Sequence, residues 1–339
     1  MEGTIVNDRA LGVLEKYDIE VLRSWKGRSA ILCETKTGIK ILKEYKGGQE
    51  RLLTQKKLLE KIKEKGFGNV EDIIPTIEGE LLVKDEEMNS YYLKEYSLGK
   101  ECNIKEPRDI GTVTGQMALL HIAMELPELI KEKNLQPYSL PKEYEKYNRE
   151  LRKVKKYLKT KRQKNHFEYF LYKNYDFFLE QAEKVLEEVN YFSQVFTEEK
   201  LLSGGCFCHG DFQHHNALIC DEGVYIINFE KFVVDNPMRD FSLFFRKVME
   251  KNNWREEIGQ LMLQSYQKQD SLSIEDKIQL YCRLSYPEKF RKIVNFYYSS
   301  SKVWIPDKNM EKLDKILKQE EEKTRFLKDN FKDEVLHKY

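Results

Sequence analysis

The amino-acid sequence predicts an α+β protein of two unequal lobes. Residues 1–97 would form a five-stranded antiparallel sheet with one helix, and residues 98–339 a larger, mainly helical lobe. Three observations predict this division. Period-two hydrophobic runs crowd the first hundred residues. A single helical stripe interrupts them. Beyond residue 105 the apolar residues recur at helical spacing. With 339 residues, 40% of them hydrophobic, the chain is long enough for two lobes and a substantial core.

Residues 19–25 (IEVLRSW) read as the first strand, with KGRS as the turn that follows, and SAILCET (29–35) as the second. KTG at 36–38 is a hairpin turn in which Gly38 is free to take positive φ. IKILKEY (39–45) is the third strand. After the glycines at 47 and 48, Leu52, Leu53, Leu58, Leu59 and Ile62 recur at helical spacing, and Gly66 suits the C-terminal cap. Two further strands are expected around Ile77–Lys84 and Tyr91–Tyr96, separated by a turn rich in Asp, Glu and Asn. The order β-β-β-α-β-β occurs in the small lobe of kinase-like phosphotransferases and in other α+β domains.

In the second lobe, Ile110, Val113, Met117, Leu120 and Met124 make one apolar stripe, with Pro107 near the start of the helix, where proline is tolerated. Residues 143–190 read as long helices. RKVKKYLKTKRQK (152–164) has eight basic residues in thirteen and precedes the aromatic run FEYFLYKNYDFF (167–178). A basic run beside aromatics is one signature of nucleic-acid binding. Neighbouring acids cancel this charge and aromatics at helical spacing belong in a core, so a solvated helix face is expected and nucleic acid is not an expected partner.

The bulk numbers narrow the classes further. The 58 basic and 57 acidic residues balance, so no global field selects a polyanion. The N-terminus lacks a basic segment followed by an apolar core, and no apolar run approaches a membrane span, so a cytosolic origin without a membrane partner is expected. Six cysteines in a chain of this size are expected to be reduced thiols.

The chemistry concentrates in CFCHGDFQHHNALICDEGVYIINFEKF, residues 206–232. Zinc is a weak fit. Its candidates, Cys206, Cys208, His209, His214, His215 and Cys220, lack the paired spacing of a structural site. Phosphoryl transfer fits better. His209-Gly210-Asp211 is followed by Asn216, and the step from Asp to Asn suits a catalytic loop in which the Asp takes a hydroxyl proton and the Asn carbonyl oxygen reaches Mg2+. A strand, a turn and a second strand then deliver residue 228. Upstream, Ile39, Ile41, Lys43 and Tyr45 share one strand face. A lysine there either meets an anionic partner or snorkels to water.

HGDFQHHN, IINFE and DNPMRD resemble the aminoglycoside phosphotransferase and choline kinase superfamily, which has a protein kinase-like fold. A closer resemblance, to the CotS family of spore coat proteins, rests on KGRSAILCETKTGIKILKEYKGG, GFGNVEDIIPT, EGELLVKD and FFRKVMEKNNW, between residues 26 and 254. The resemblance implies ATP and Mg2+ as cofactors. By it, Lys43, with Ile41 beside it, would meet the α- and β-phosphates. The turn 25–29, including Gly27, would cover the phosphates, and Glu95 and Tyr96 would offer backbone groups to adenine. Asp211, with His209, would form the catalytic pair. Asn216 would ligate the metal and Asp240 would brace the loop.

Two departures stand out. Asn228 replaces the principal Mg2+-binding aspartate and weakens the metal site, with Glu230 placed to compensate. Gln55 falls where a glutamate partner of Lys43 is expected, with Glu50 and Glu60 as alternatives. The resemblance therefore implies either a phosphotransferase acting on a hydroxyl of a small molecule or glycan, or a non-catalytic, pseudokinase-like coat scaffold. It also implies synthesis in the mother cell cytoplasm and assembly onto the spore coat with other coat proteins. The acceptor pocket would be built by the helical insert at about 127–205.

Overall fold

A computed structural model describes residues 12–27, 30–299, 306–332 and 335. Strands β1 (Val21–Gly27), β2 (Ala30–Thr35) and β3 (Gly38–Glu44) form an antiparallel meander. Gly38 takes φ +102°, the conformation that the hairpin turn requires. Residues 28 and 29 of the first turn lie outside the described residues.

Helix α1 (Gln49–Glu64) follows and buries Leu52, Leu58, Leu59 and Ile62. The next strands are β4 (Ile73–Ile74), β5 (Val83–Lys84) and β6 (Ser90–Tyr96). Strand β6 pairs with β3 on one side, and β4 and β5 both pair with its other edge. Six strands thus fill five positions. The strand expected around Ile77–Lys84 is corrected to two short pieces separated by a turn. Thr76 and Glu80 are bonded backbone to backbone at 2.8 Å, Gly79 has φ +86°, and Ile77 is 71% exposed.

Period-two alternation gives β3 two roles. Leu42 joins Val13, Leu14, Cys33, Val83 and Leu93 in a small core on one face of the sheet. Ile41, Lys43 and Tyr45 face the opposite way, onto the cleft between the lobes.

The chain leaves the first sheet at Tyr96. Strand β7 (Lys100–Glu101) then joins a different sheet, and helices α2 (Pro107–Ala123), α3 (Pro127–Glu132), α4 (Leu140–Thr160), α5 (His166–Tyr191) and α6 (Glu198–Gly204) follow. Ile110, Val113, Met117 and Leu120 make the buried stripe of α2, and Met124 is buried at its C-terminal cap. Helix α5 opens on a reciprocal capping box between Asn165 and Glu168. Phe167, Leu171, Tyr175 and Phe178 bury its inner face. Three of the eight basic residues of the run are paired with acids of α5, as Arg152–Glu183, Lys155–Asp176 and Lys161–Glu168.

Short strands then position the chemistry. Strand β8 (Phe207–Cys208) pairs with β11 (Val233–Val234). The hairpin of β9 (Ala217–Cys220) and β10 (Gly223–Ile226) pairs with β7. These two small sheets hold residues 209–216 and 227–232 at the cleft. Helices α7 (Met238–Lys251), α8 (Glu256–Gln267), α9 (Ile274–Ser285), α10 (Glu288–Ser299) and α11 (Pro306–Leu327) complete the second lobe. One hydrophobic cluster runs from α1 into these helices and joins the lobes. Among the described residues, no helix is long and apolar enough to cross a membrane.

Candidate active site

The loop after β8 is pinned by buried hydrogen bonds. Asp240, fully buried at the start of α7, accepts from the backbone N–H of His209 at 2.5 Å and of Gly210 at 2.9 Å. Burial raises the Asp240 pKa, but His121, His209 and the Gly210 N–H outweigh it and hold the carboxyl below its ordinary value. Gly210 takes φ +78°, and a Cβ there would meet the Lys231 carbonyl oxygen at 2.0 Å. Only glycine permits that approach.

His209 is fully buried. Its Nε2 lies 2.9 Å from the Ile227 carbonyl, and its Nδ1 accepts the Asp211 N–H at 3.2 Å. A carbonyl can only accept, so the ring proton is on Nε2. Both nitrogens are spent on backbone. The expected catalytic role of His209 is therefore corrected to a positioning role.

Asp211 emerges from this frame into the cleft. Its Oδ2 accepts from Lys231 Nζ at 2.8 Å and its Oδ1 from Gln213 Nε2 at 2.5 Å. Partial burial raises its pKa, yet those two donors more than offset this, and Asp211 stays ionised.

Lys43 reaches across the cleft to residues 228 and 230. Its Nζ lies 2.5 Å from Glu230 Oε1 and 3.2 Å from Asn228 Oδ1. Gln55, the expected partner, does not face Lys43. It is buried, with Nε2 3.4 Å from Glu71 Oε1. A glutamate at 55 would set two carboxylates against each other, so the amide fits. Neither alternative reaches Lys43: Glu50 lies in the exposed first turn of α1, and Glu60 pairs with Lys56.

Two residues that the sequence reading missed complete the cluster. Lys94 on β6 is 1% exposed, and its partner Glu71 is 0% exposed. Lys94 Nζ donates to Glu71 Oε2 at 2.7 Å and to Asn228 Oδ1 at 2.8 Å, and lies 3.6 Å from Glu230. Burial lowers the Lys94 pKa, but Glu71 and Glu230 reverse the shift and keep it above an ordinary lysine. Glu71 also accepts from the backbone N–H groups of Asn228 and Phe229 at 2.8 and 3.0 Å. This fixes Asn228 at φ +70°, a conformation that asparagine tolerates better than most residues. Tyr92 donates to Glu230 at 2.5 Å. Burial raises the pKa of Glu230, but Lys94 and Lys43 overcome this and hold it far below an ordinary glutamate.

The amides form a chain. Asn216 Nδ2 donates to the Asp211 carbonyl at 2.8 Å, and Asn228 Nδ2 donates to Asn216 Oδ1 at 2.8 Å. Asn228 Oδ1 then faces Lys43 and Lys94. This bears on the implied Mg2+, whose ligands would be Asn216, Asn228 and Glu230. Both amide oxygens are engaged by protein donors, and the one carboxylate is held by Lys43 and Tyr92. In this arrangement the donor set does not fit a divalent cation, which favours carboxylates free to bind it. Among the described residues no group of three His, Cys, Asp or Glu is placed to hold a metal. Cys206 and Cys208 are buried thiols, and burial pushes Cys208 well above its ordinary pKa.

The cleft has a volume of about 780 Å³. Leu32 and Ile41 line it from the first lobe, and Leu218 and Ile227 from the second. Tyr96 lines it as well. Glu95 does not: its N–H donates to Asp72 at 2.9 Å and its carboxylate pairs with Lys40. Of the two expected hinge residues, Tyr96 is the one that lines the cleft, and the Glu95 N–H is already used within the first lobe. Gly27 ends β1 opposite Ala30, which lines the cleft.

The family described as "Spore coat putative kinase YutH" matches residues 12–330. The chain belongs to this spore coat kinase family. No curated protein matches its sequence. Among solved structures, it resembles an aminoglycoside phosphotransferase from Alicyclobacillus acidocaldarius at TM-score 0.83 and 18% identity, over 99% of this chain and 98% of that one. An AMP-bound spectinomycin phosphotransferase aligns at TM-score 0.66 and 14% identity, over 92% and 94% of the two chains. A choline kinase from Cryptosporidium parvum aligns at 0.51 and 14%, over 97% and 96%. The YutH-family chain thus has the kinase-like fold of these phosphotransferases.

Proposed function

We propose that this YutH-family protein binds ATP between its lobes and transfers the γ-phosphoryl group to a hydroxyl of a small molecule or glycan. One observation carries the reading. The ionised Asp211 carboxylate stands where the interlobe cleft meets a second cavity of about 390 Å³, and Asp211 and Lys231 line both. A base so placed is open to a nucleotide on one side and an acceptor on the other.

The purine would lie between Leu32 and Ile41 above and Leu218 and Ile227 below. The phosphates would draw Lys43 away from Glu230. In the transfer, the acceptor oxygen bonds to the γ-phosphorus and the bond from that phosphorus to its bridging oxygen breaks. ADP leaves with the bridging electron pair, and Asp211 takes the hydroxyl proton. Lys43 and Lys231 supply positive charge to the phosphates. Solved neighbours support a nucleotide in this fold: one spectinomycin phosphotransferase complex holds ADP and spectinomycin, and an amicoumacin kinase holds AMP-PNP and Ca2+. ADP release with a competent acceptor, abolished in Asp211→Asn, tests the reading. An Asp211→Asn variant as active as the parent would refute it.

A second reading, a nucleotide-binding coat scaffold without turnover, is favoured by Asn228. The amide removes the charge on which metal-assisted transfer depends, and the network consumes both of its polar atoms. In either case the protein would be made in the mother cell cytoplasm and join other coat proteins on the spore. Exposed Tyr157 and Tyr169 on α4 and α5 suit oxidative cross-linking there. Peroxidase treatment should then yield dityrosine, and its absence would rule that out.

A further inference from the structure

The cavity on the acceptor side has an unbalanced wall. Seven cationic side chains line it against three carboxylates, Glu143, Asp211 and Glu288. Besides Lys231, the cations are Arg239, Arg246, Lys247, Arg283, Arg291 and Lys292. Two carboxylates behind the wall reduce the excess. Asp235 bonds Arg239 at 3.1 Å and Arg283 at 2.9 Å, and Glu250 bonds Arg246 at 2.6 Å. Seven cations still face five acids.

The pairing is also incomplete. Arg246 and Arg283 are more than nine-tenths buried, yet Arg246 Nη2 and Arg283 Nε have no hydrogen-bond partner among the described residues. Both nitrogens lie beneath the cavity surface, so they add uncompensated positive charge behind the wall, and an anion in the cavity would offset that charge. Lys247 shows the same surplus. Burial first, then the neighbouring cations Lys289 and Arg246, hold its pKa below an ordinary lysine. Guanidinium groups present planar forks that match phosphate and carboxylate. Tyr144 and Tyr147 add aromatic surface to the wall, and Tyr144 is stacked on Tyr286 with ring centroids 4.0 Å apart.

We propose that the acceptor is a hydroxyl compound carrying its own anionic group, a phosphate or a carboxylate, held by Arg246, Arg283 and Lys247 while its hydroxyl reaches Asp211. Tyr144 and Tyr147 would pack against its carbon skeleton. The transfer forms the acceptor O–P bond, breaks the terminal phosphoanhydride of ATP and releases ADP and a proton through Asp211. A cationic acceptor would meet net positive charge at the same wall and be repelled.

The transfer rests on the phosphotransferase reading above, but binding is measurable without it. The full chain, free of nucleotide, would be titrated calorimetrically with glucose 6-phosphate, glycerol 3-phosphate and glucuronate, and in parallel with choline and spectinomycin. At least one anion should bind at least about tenfold more tightly than either cation, a gap of about 1.4 kcal/mol. Comparing the two phosphates with glucuronate identifies the favoured anionic group. Lys247→Gln and Lys292→Gln should each weaken anion binding about tenfold with a nearly unchanged melting temperature. Lys292 is half exposed, and its partner Glu288 keeps both bonds to Arg291, so the neutral substitution removes charge without stranding a buried acid. Equal or tighter binding of choline or spectinomycin, no anion bound at millimolar concentration, or an affinity unmoved in both variants would overturn the proposal. Anion binding without ADP release on adding ATP would refute the phosphotransferase reading and leave the ligand class standing. ADP release driven by choline or spectinomycin would do the reverse.

Discussion

The two cavities that meet at Asp211 use the same kinds of charged side chain and end with different surplus charge. On the nucleotide side, Lys43, Lys94 and Lys231 each lie within 2.8 Å of a carboxylate oxygen. In the second cavity, Arg246 and Arg283 each keep a buried nitrogen without a hydrogen-bond partner among the described residues. The lysines of the first cavity are paired, and under the proposed function that pairing must open to admit phosphates. The second has capacity left over. What such a cavity selects follows from the charge remaining after internal pairing, not from the number of basic residues that line it.

The largest expected effect lies at the junction. Asp211→Asn should lower ADP release by about 10²–10⁴-fold while nucleotide binding changes little, as a loss of base catalysis requires. Steady-state ADP release together with nucleotide titration checks both halves.

Breaking one ion pair in each cavity sharpens the comparison. Glu71→Gln leaves the Lys94 ammonium facing one fewer carboxylate in a fully buried site, and should cost about 3–5 kcal/mol in urea unfolding. Asp235→Asn also strands cations, but Arg239 is partly exposed and the buried Arg283 keeps the Gln279 amide oxygen at 3.2 Å. Its cost should be clearly smaller. Equal costs would mean that the two networks are equally closed.

Acid should loosen the network around the first cavity and the loop that Asp240 pins. Glu230 and Asp240 have folded-state pKa values below their ordinary ones. Their stabilisation is therefore complete above the unfolded-state values of about 4 and is lost as pH falls through the lower folded values. Urea midpoints should hold through neutral pH as far as these groups are concerned and fall below about pH 4. Glu230→Gln and Asp240→Asn should each flatten that fall.

The smallest effect concerns metal. With Asn228 at the site and Glu230 held by lysine, a chelator should remove less than half of the rise in melting temperature that ATP produces. A rise wholly dependent on Mg2+ would show that the Lys43–Glu230 contact yields to the cation.

How far the site was legible follows the range of the interactions. Lys43, Asp211, Asn216 and Asp240 stood out because each sits in a short motif with an obvious partner chemistry. Lys94 obeyed the same period-two rule as Lys43, placed between Tyr92 and Tyr96 on one strand face, and could have been found by it. Glu71 left no such trace. It lies in an irregular stretch, and only the fold brings its carboxylate to residues 228 and 229. The second cavity draws on the insert only in part. The insert at 127–205 supplies Leu140, Glu143, Tyr144 and Tyr147, but most of the cations come from α7, α9 and α10.

Local periodicity and the H-G-D loop were enough for the two-lobed fold, the order of its elements and the position of Asp211 at the cleft, because strand alternation, helix spacing and backbone-pinned loops are set by near neighbours. The partner of Lys43, the buried Lys94–Glu71 pair and the charge of the second cavity's wall were settled only by tertiary structure. Electrostatic pairing depends on distances of a few ångströms between groups far apart in the chain, and no local pattern encodes those distances.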